Sequence, residues 1–355
     1  MEDLADDIDE AEEVEEVVPD DTNRRGKSPD NPLPGGEAYY YIGPKREKIM
    51  AKELVTTSPI RLHNEKYFVD DDGKVKRASY MSSSSMATYA KCHQLYYRKY
   101  VLGEKDTRPA VKMWTGSGFH NTLEAAGLAK IAGKSFSMEE AGAMFKEHMK
   151  KEFAQFDSDS ADLIKAGKNP QELKLPERIP TREALVNLGM DMVTKFLREE
   201  FPLVKPISVE KRVLYPLEMN SGGTIPFVGF IDLIEEENGE VVISDYKTGR
   251  LRTEENLIMD QQLPRYAKAE GVYRVKWFSS KLGTTGGKTP GRAKGPETLK
   301  LRRTVTVKDL EILHEDDNAN LEGIKAGNFA RTGLQNPMIC SSVLCPMWHN
   351  CLGKK

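Results

Sequence analysis

Residues 225–248, IPFVGFIDLIEEENGEVVISDYKT, leave this chain few ways to fold. Two runs of β-forming residues flank Asn238-Gly239. That dipeptide suits a two-residue hairpin turn, because both of its central positions need φ > 0. Pairing outward from the turn sets Asp232 opposite Asp245. Positions i and i+2 of a strand share a face, so Asp245 and Lys247 project together and Tyr246 turns away. Two carboxylates side by side repel. A divalent cation relieves that repulsion, and hard oxygen ligands with open positions describe Mg²⁺ or Mn²⁺. The alternative is a carboxylate–lysine network that holds no metal. If the ion is present, it can polarise a phosphoryl oxygen and activate water. Lys247 can then orient that water or stabilise charge growing on the phosphate. Phosphodiester hydrolysis is the matching chemistry.

The rest of the chain surrounds this hairpin with helices. SSSSMATYAKCHQLYYRKYV, from Ser82, has hydroxyl N-caps and apolar residues at helical spacing. Its tyrosine stripe is expected to pack in a core, with base stacking as the alternative for one or two rings. Further helices are expected near 115–132, 138–156 and 181–201. The period then changes to that of strands at 207–217, 225–236 and 240–248. A helix follows over 255–271, with Pro264 expected to kink it. Strands at 272–280 and 298–307 and a helix at 308–326 complete the pattern. This order implies an α/β fold with a mixed central sheet flanked by helices.

Hydrophobic residues make up 39% of the chain and charged ones 30%, enough for a sizeable core. No apolar run reaches the roughly 18 residues of a membrane span, and the acidic N-terminus is unlike a secretory signal. A cytoplasmic protein is the expectation. Residues 1–22 hold twelve acids and no Lys or Arg, so the remainder is net basic. Residues 1–35 read as a disordered acidic tail. Residues 36–80 form an N-terminal extension, in which KYFVDDDGKVKRAS could be a short hairpin. The expected units after it are a helical region at 81–205, a core at 206–330 and a cysteine segment at 331–355.

Four cysteines occur: Cys92, then Cys340, Cys345 and Cys351 within twelve residues. That clustering argues for a metal site rather than a disulfide framework. Spacing alone does not separate zinc from an iron–sulfur cluster, since both accept four thiolates.

Taken in order, GSGFH with His120, VGFID with Asp232, DYKTG with Asp245 and Lys247, and QLPRYA with Gln262 and Tyr266 resemble the PD-(D/E)XK nucleases. The resemblance is to their RecB-like branch, which includes CRISPR-associated and phage recombination exonucleases, and it covers about residues 80–351. It implies a restriction-endonuclease-like core with an iron–sulfur-stapled helical subdomain. Carried over, His120, Asp232 and Asp245 are metal ligands, the Tyr246 carbonyl is a further one, and Lys247 is the catalytic lysine. Gln262 and Tyr266, at i and i+4, support the site and contact substrate; Gln261 is the alternative amide. Gly116 and Gly118 would let the helix start bearing His120 approach the sheet. Glu210 also matches a recurrent acidic position. Many members of this branch hold a [4Fe–4S] cluster on one cysteine before the nuclease core and three after it. The same ligands here would be Cys92, Cys340, Cys345 and Cys351. The four-residue gap between Cys340 and Cys345 departs from the usual two.

The resemblance implies a metal-dependent DNA exonuclease in recombination or repair, acting 5′→3′ on single-stranded ends. Its setting would be a bacterial host if phage-encoded, with a helicase or recombinase as partner. The alternatives are a structure-specific endonuclease and a non-catalytic DNA-binding subunit. Lys281, Lys288, Arg292, Lys294, Lys300, Arg302 and Arg303, in or beside the glycine-rich 281–297 loop, could form a phosphate-binding arm or a solvated linker.

Overall fold

The computed structural model describes residues 80–104, 111–167, 173, 175, 179–285, 293–332, 340–341 and 345–351. The acidic tail, the 36–79 extension with its expected hairpin, and the basic loop residues Lys288 and Arg292 lie outside the described residues.

Five strands form one mixed sheet in sequence order: β1 (Lys205–Glu218), β2 (Thr224–Glu237), β3 (Glu240–Thr248), β4 (Arg274–Lys281) and β5 (Glu297–Thr304). All neighbours are antiparallel except β3 and β4. The parallel pair needs a crossover, supplied by α6 (Glu254–Ile258) and α7 (Gln262–Glu270). The Asn238-Gly239 turn has φ of 56° and 81°, and the β2–β3 register runs as expected from Glu237↔Glu240 to Leu233↔Ser244.

A helical layer covers one face. It comprises α3 (Val111–Ile131), α4 (Met138–Lys165) and α5 (Arg182–Glu199). Phe119, Leu123, Phe145 and Phe196 from these helices bury Leu233, Tyr246 and Phe278 of the sheet. The opposite face packs against α1 (Ser83–Lys91), α2 (His93–Tyr96), α7 and α8 (Val307–Lys325) through Tyr89, Tyr96, Leu263, Tyr266 and Leu321. Tyr89 and Tyr96 are therefore core residues, not stacking platforms.

Three expectations need correction. The helix from Ser82 is broken at Cys92, whose backbone is extended, with α1 before it and α2 after it. The N–H groups that open α2 are satisfied from the far end of the chain: His93 donates to Thr332 Oγ1 at 3.1 Å and Gln94 to the Ala330 carbonyl at 3.0 Å. The expected 255–271 helix is two helices, and Pro264 does not kink it. Pro264 lies in the first turn of α7, where its missing N–H costs nothing. The helix carrying His120 runs over Val111–Ile131, so Gly116 and Gly118 lie within it rather than at its start. Only Gly116 meets the sheet, where a Cβ would come 2.8 Å from Thr248 Oγ1; one on Gly118 would meet His148 and Phe145 of α4.

Close approach also governs the helical layer. A Cβ on Gly189 of α5 would lie 2.2 Å from the ring of the fully buried Phe145. Gly189→Ala is expected to lower stability by about 1–3 kcal/mol through overpacking, measured as a fall in unfolding midpoint by denaturant titration.

Candidate metal centre and cysteine cavity

The hairpin ladder stops where the acidic residues begin. Leu233↔Ser244 is its last pair, while β3 stays with β4 as far as Thr248↔Ser280. The next step brings a side chain into the ladder's place: the Asp232 carboxylate accepts the Tyr246 N–H at 2.8 Å. Asp232 and Asp245 are thus neighbours across diverging strands, and each is almost fully buried.

The β1–β2 ladder turns over at the same point. Glu210 lies opposite Asp232, between the pairs Val209↔Leu233 and Lys211↔Ile231. Its φ is +45°, a left-handed conformation unusual for glutamate. The consequence shows in the packing. Val209 and Val213 have the same parity yet belong to opposite cores, and so do Leu233 and Ile231. Such strain costs of order 1–3 kcal/mol and clusters at functional sites.

His120, Glu210 and Asp232 converge here. One ligand atom from each lies within 4.8 Å of the others, and His120 Nδ1 is 3.3 Å from Asp232 Oδ2. Ligands held at about 2.1 Å from Mg²⁺ are separated by roughly 3–4 Å, so the donor set and its spacing fit a divalent cation. Glu210, rather than Asp245, completes this trio. Asp245 is turned toward the lysine instead, with Oδ2 2.7 Å from Lys247 Nζ.

Lys247 is fixed on several sides. Its Nζ donates to Gln262 Oε1 at 2.8 Å and lies 5.6 Å from the Trp277 ring centre. Gln262 Nε2 donates to Tyr266 Oη at 3.0 Å, which sets the amide's orientation. Gly229 of β2 makes room for Tyr266, since a Cβ there would come 2.5 Å from its ring. Gln261 is committed elsewhere, to Asp316 at 2.6 Å and to Arg265. Gln262 is therefore the amide at the lysine.

Burial and charge push the two aspartates apart. Burial raises both, but His120, the Tyr246 N–H and Lys247 outweigh it at Asp232 and hold that carboxyl below the ordinary range. At Asp245 burial wins over Lys247, with Asp232 adding to it, and the carboxyl is pushed up to about 7. Burial alone would lower Lys247; Asp245, Asp260 and Asp232 outweigh it and keep the amine protonated.

Asp260 escaped the sequence reading. Burial raises its carboxyl, Lys247 opposes that rise, and Oδ2 accepts the Leu263 N–H at 2.8 Å as α7 begins. The sequence signal was an aspartate three residues before Leu263 with a proline in the first turn, a helix start.

The cysteines meet elsewhere. Cys92, Cys340, Cys345 and Cys351, the last in the short helix α9 (Trp348–Cys351), all line one cavity together with Leu95, Arg98 and Arg331. Burial raises the Cys340 thiol, and the other three cysteines raise it further. Four thiols lining one cavity fit a four-thiolate metal or cluster site.

Much of the expected basic track is engaged within the protein. Lys300 pairs with Glu200 at 2.7 Å and Arg302 with Glu237 at 2.9 Å. Arg303 pairs with Asp309 at 2.5 Å and donates to the Ile258 carbonyl at 2.8 Å. No helix among the described residues is long and apolar enough to cross a membrane.

The Asp260 charge is separable from its cap. Asp260→Asn keeps an acceptor for Leu263 and removes the negative charge facing Lys247. The Lys247 pKa is then expected to fall, read by NMR titration of its ¹³Cε and ¹⁵Nζ signals.

A model of the PD-(D/E)XK nuclease superfamily matches residues 80–352. None of the curated proteins matches this chain. Among solved structures, one titled "Crystal structure of SSO0001" is similar at 12% identity and a TM-score of 0.28, covering 57% of this chain and 81% of that one. The family match spans all five strands, the Asp232 and Asp245–Lys247 positions and the helix of Gln262, and the chain belongs to the PD-(D/E)XK nuclease superfamily.

Proposed function

We propose that this metal-dependent nuclease is a DNA exonuclease of the RecB-like branch. It degrades single-stranded ends 5′→3′ in recombination or repair, alongside a helicase or recombinase. The observation that carries the reading is the Lys247 ammonium, held by Asp245 and Gln262 beside the His120–Glu210–Asp232 trio. The exonuclease character, polarity and biological setting rest on the ordered motifs of the sequence.

His120, Glu210 and Asp232 would hold Mg²⁺ or Mn²⁺, with Asp245 and the Tyr246 carbonyl adding ligands if the Asp245 side chain turns from the lysine. When bound, the ion supplies Lewis-acid polarisation of a phosphoryl oxygen and a more acidic water. Lys247 contributes a fixed positive charge where the phosphate gains negative charge, in a site dry enough to strengthen it. Gln262 holds the amine in place, and Tyr266 holds Gln262. None of these groups reads a base, in keeping with cleavage that does not depend on sequence.

The same reading gives Cys92, Cys340, Cys345 and Cys351 a [4Fe–4S] cluster. Its support is the convergence of all four thiols on one cavity. The cluster would tie the first helices to the C-terminal segment, and its loss would loosen that junction.

One preparation tests both halves. Protein purified anaerobically is expected to be brown, with iron and acid-labile sulfide in equal amounts. With Mn²⁺ it should degrade 5′-labelled linear single-stranded DNA and spare circular single-stranded DNA. Lys247→Ala should slow cleavage by about 10²–10³-fold without loss of iron. Cutting of circular DNA would make it an endonuclease; binding without cutting would make it a DNA-binding subunit.

The pH dependence follows from Asp245. Burial pushes its carboxyl up to about 7, and a proton competes with a cation for the same oxygens. At subsaturating Mg²⁺, cleavage should fall by up to roughly tenfold per unit below that pH. Saturating Mn²⁺ should move the fall to lower pH.

A further inference from the structure

One residue of the cysteine cavity carries a donor that finds no acceptor among the described residues. Arg98 lines the cavity, and its side chain is mostly buried. Its far end is fixed, with Nη1 donating to Glu104 Oε1 at 2.7 Å. The Glu104 N–H donates back to the Arg98 carbonyl at 2.9 Å, so the two residues hold each other. The Nε–H is different: Nε is buried and has no hydrogen-bond partner among the described residues. A buried guanidinium N–H without an acceptor is costly and calls for an explanation. The local backbone is also unusual. Arg98 lies on a π-helical turn, Tyr97–Val101, closed by the Leu102 N–H donating to the Tyr97 carbonyl at 2.9 Å. Such turns are rare and gather at functional sites.

We propose that the Arg98 Nε–H donates a hydrogen bond to a sulfur of the cluster held by Cys92, Cys340, Cys345 and Cys351, retaining the cluster and raising its reduction potential. This rests on the iron–sulfur reading above. The chemistry is general. Four thiolates leave such a cluster net anionic, and reduction adds a further negative charge. A donor to sulfur and a nearby positive charge both favour the more negative form, and burial strengthens them. Arg331 lines the same cavity but is exposed, so its charge is screened by solvent. It is the natural control.

The test uses full-length protein purified anaerobically, as wild type, Arg98→Met, Arg98→Lys and Arg331→Gln. Iron and sulfide are assayed first. One-electron midpoint potentials are then measured by dithionite titration near 400 nm, and iron release to a chelator is timed. Arg98→Met and Arg98→Lys are expected to titrate at a lower potential than wild type and to release iron several-fold faster. Arg331→Gln is expected to match wild type. Lysine keeps the charge and lacks the Nε–H, so an Arg98→Lys protein that behaves as wild type overturns the hydrogen bond. An unchanged potential in Arg98→Met also overturns it. Variants that lose the cluster but keep wild-type circular dichroism support the donor. Variants that lose the fold with it show a structural arginine and overturn it. A wild type holding zinc and no iron removes the cluster reading itself, a result distinct from an intact cluster indifferent to Arg98.

Discussion

Two buried carboxylates and a half-buried ammonium meet where β2 and β3 part, and the protein is arranged around that fact. Buried charge is tolerated only when paired and hydrogen-bonded. Here the pairing is unequal. Asp232 has His120 and the Tyr246 N–H, while Asp245 has Lys247 alone and rises to about 7. Closely spaced acids that titrate apart mark a site whose ligands do not all ionise at once. A cation arriving at the trio would change that balance, because its charge offsets the repulsion between the acids.

The two faces of the sheet serve the site differently. On the helical side, Tyr246 is clamped edge-on by Phe119 and Phe196 and lies against Phe278. Its ring pins the residue between Asp245 and Lys247, so the alternation of the strand holds both polar groups on the other face. On that face a relay of contacts runs from Gly229 through Tyr266 and Gln262 to the lysine. Gly229 belongs to the same strand as Asp232. One strand thus supplies an acid directly and positions the amine indirectly, through the room it leaves for an aromatic ring.

The hairpin was legible because a glycine turn and strict alternation leave one register, and the pairs through Leu233↔Ser244 follow it. What happens one step further was not. The ladder yields to a side chain at Asp232, and that depends on β4 holding β3 while β2 departs, a tertiary effect. Glu210 was visible only as an acidic position in a family pattern. Nothing about a glutamate announces a left-handed φ, and nothing local says that it faces the same ion as Asp232. Pro264 is a signal of a helix start rather than of a kink, and Asp260 just ahead of it accepts the N–H that proline's neighbour exposes. The basic residues of β5 left two readings open, an arm or a linker, for a related reason. Composition shows charge but not partners, and Lys300, Arg302 and Arg303 spend theirs on carboxylates of this chain.

Direct contacts join the first helices to the segment at 328–332. Tyr89 Oη donates to the Asn328 carbonyl at 2.9 Å, His93 and Gln94 donate to Thr332 and Ala330, and the ring of Tyr97 lies against Phe329. These contacts bridge more than two hundred residues, so the entropy of closing that loop is already met by packing. Three of the four thiols come after this junction and one sits within it, at the extended Cys92 that separates α1 from α2. The break leaves two N–H groups for the C-terminal segment to satisfy and sets the thiol in the cavity wall. A cluster there would reinforce a closure that the backbone has already made. Its main leverage would fall on the segment from Cys340 to Cys351, which has little regular structure of its own among the described residues beyond the single turn at Trp348–Cys351.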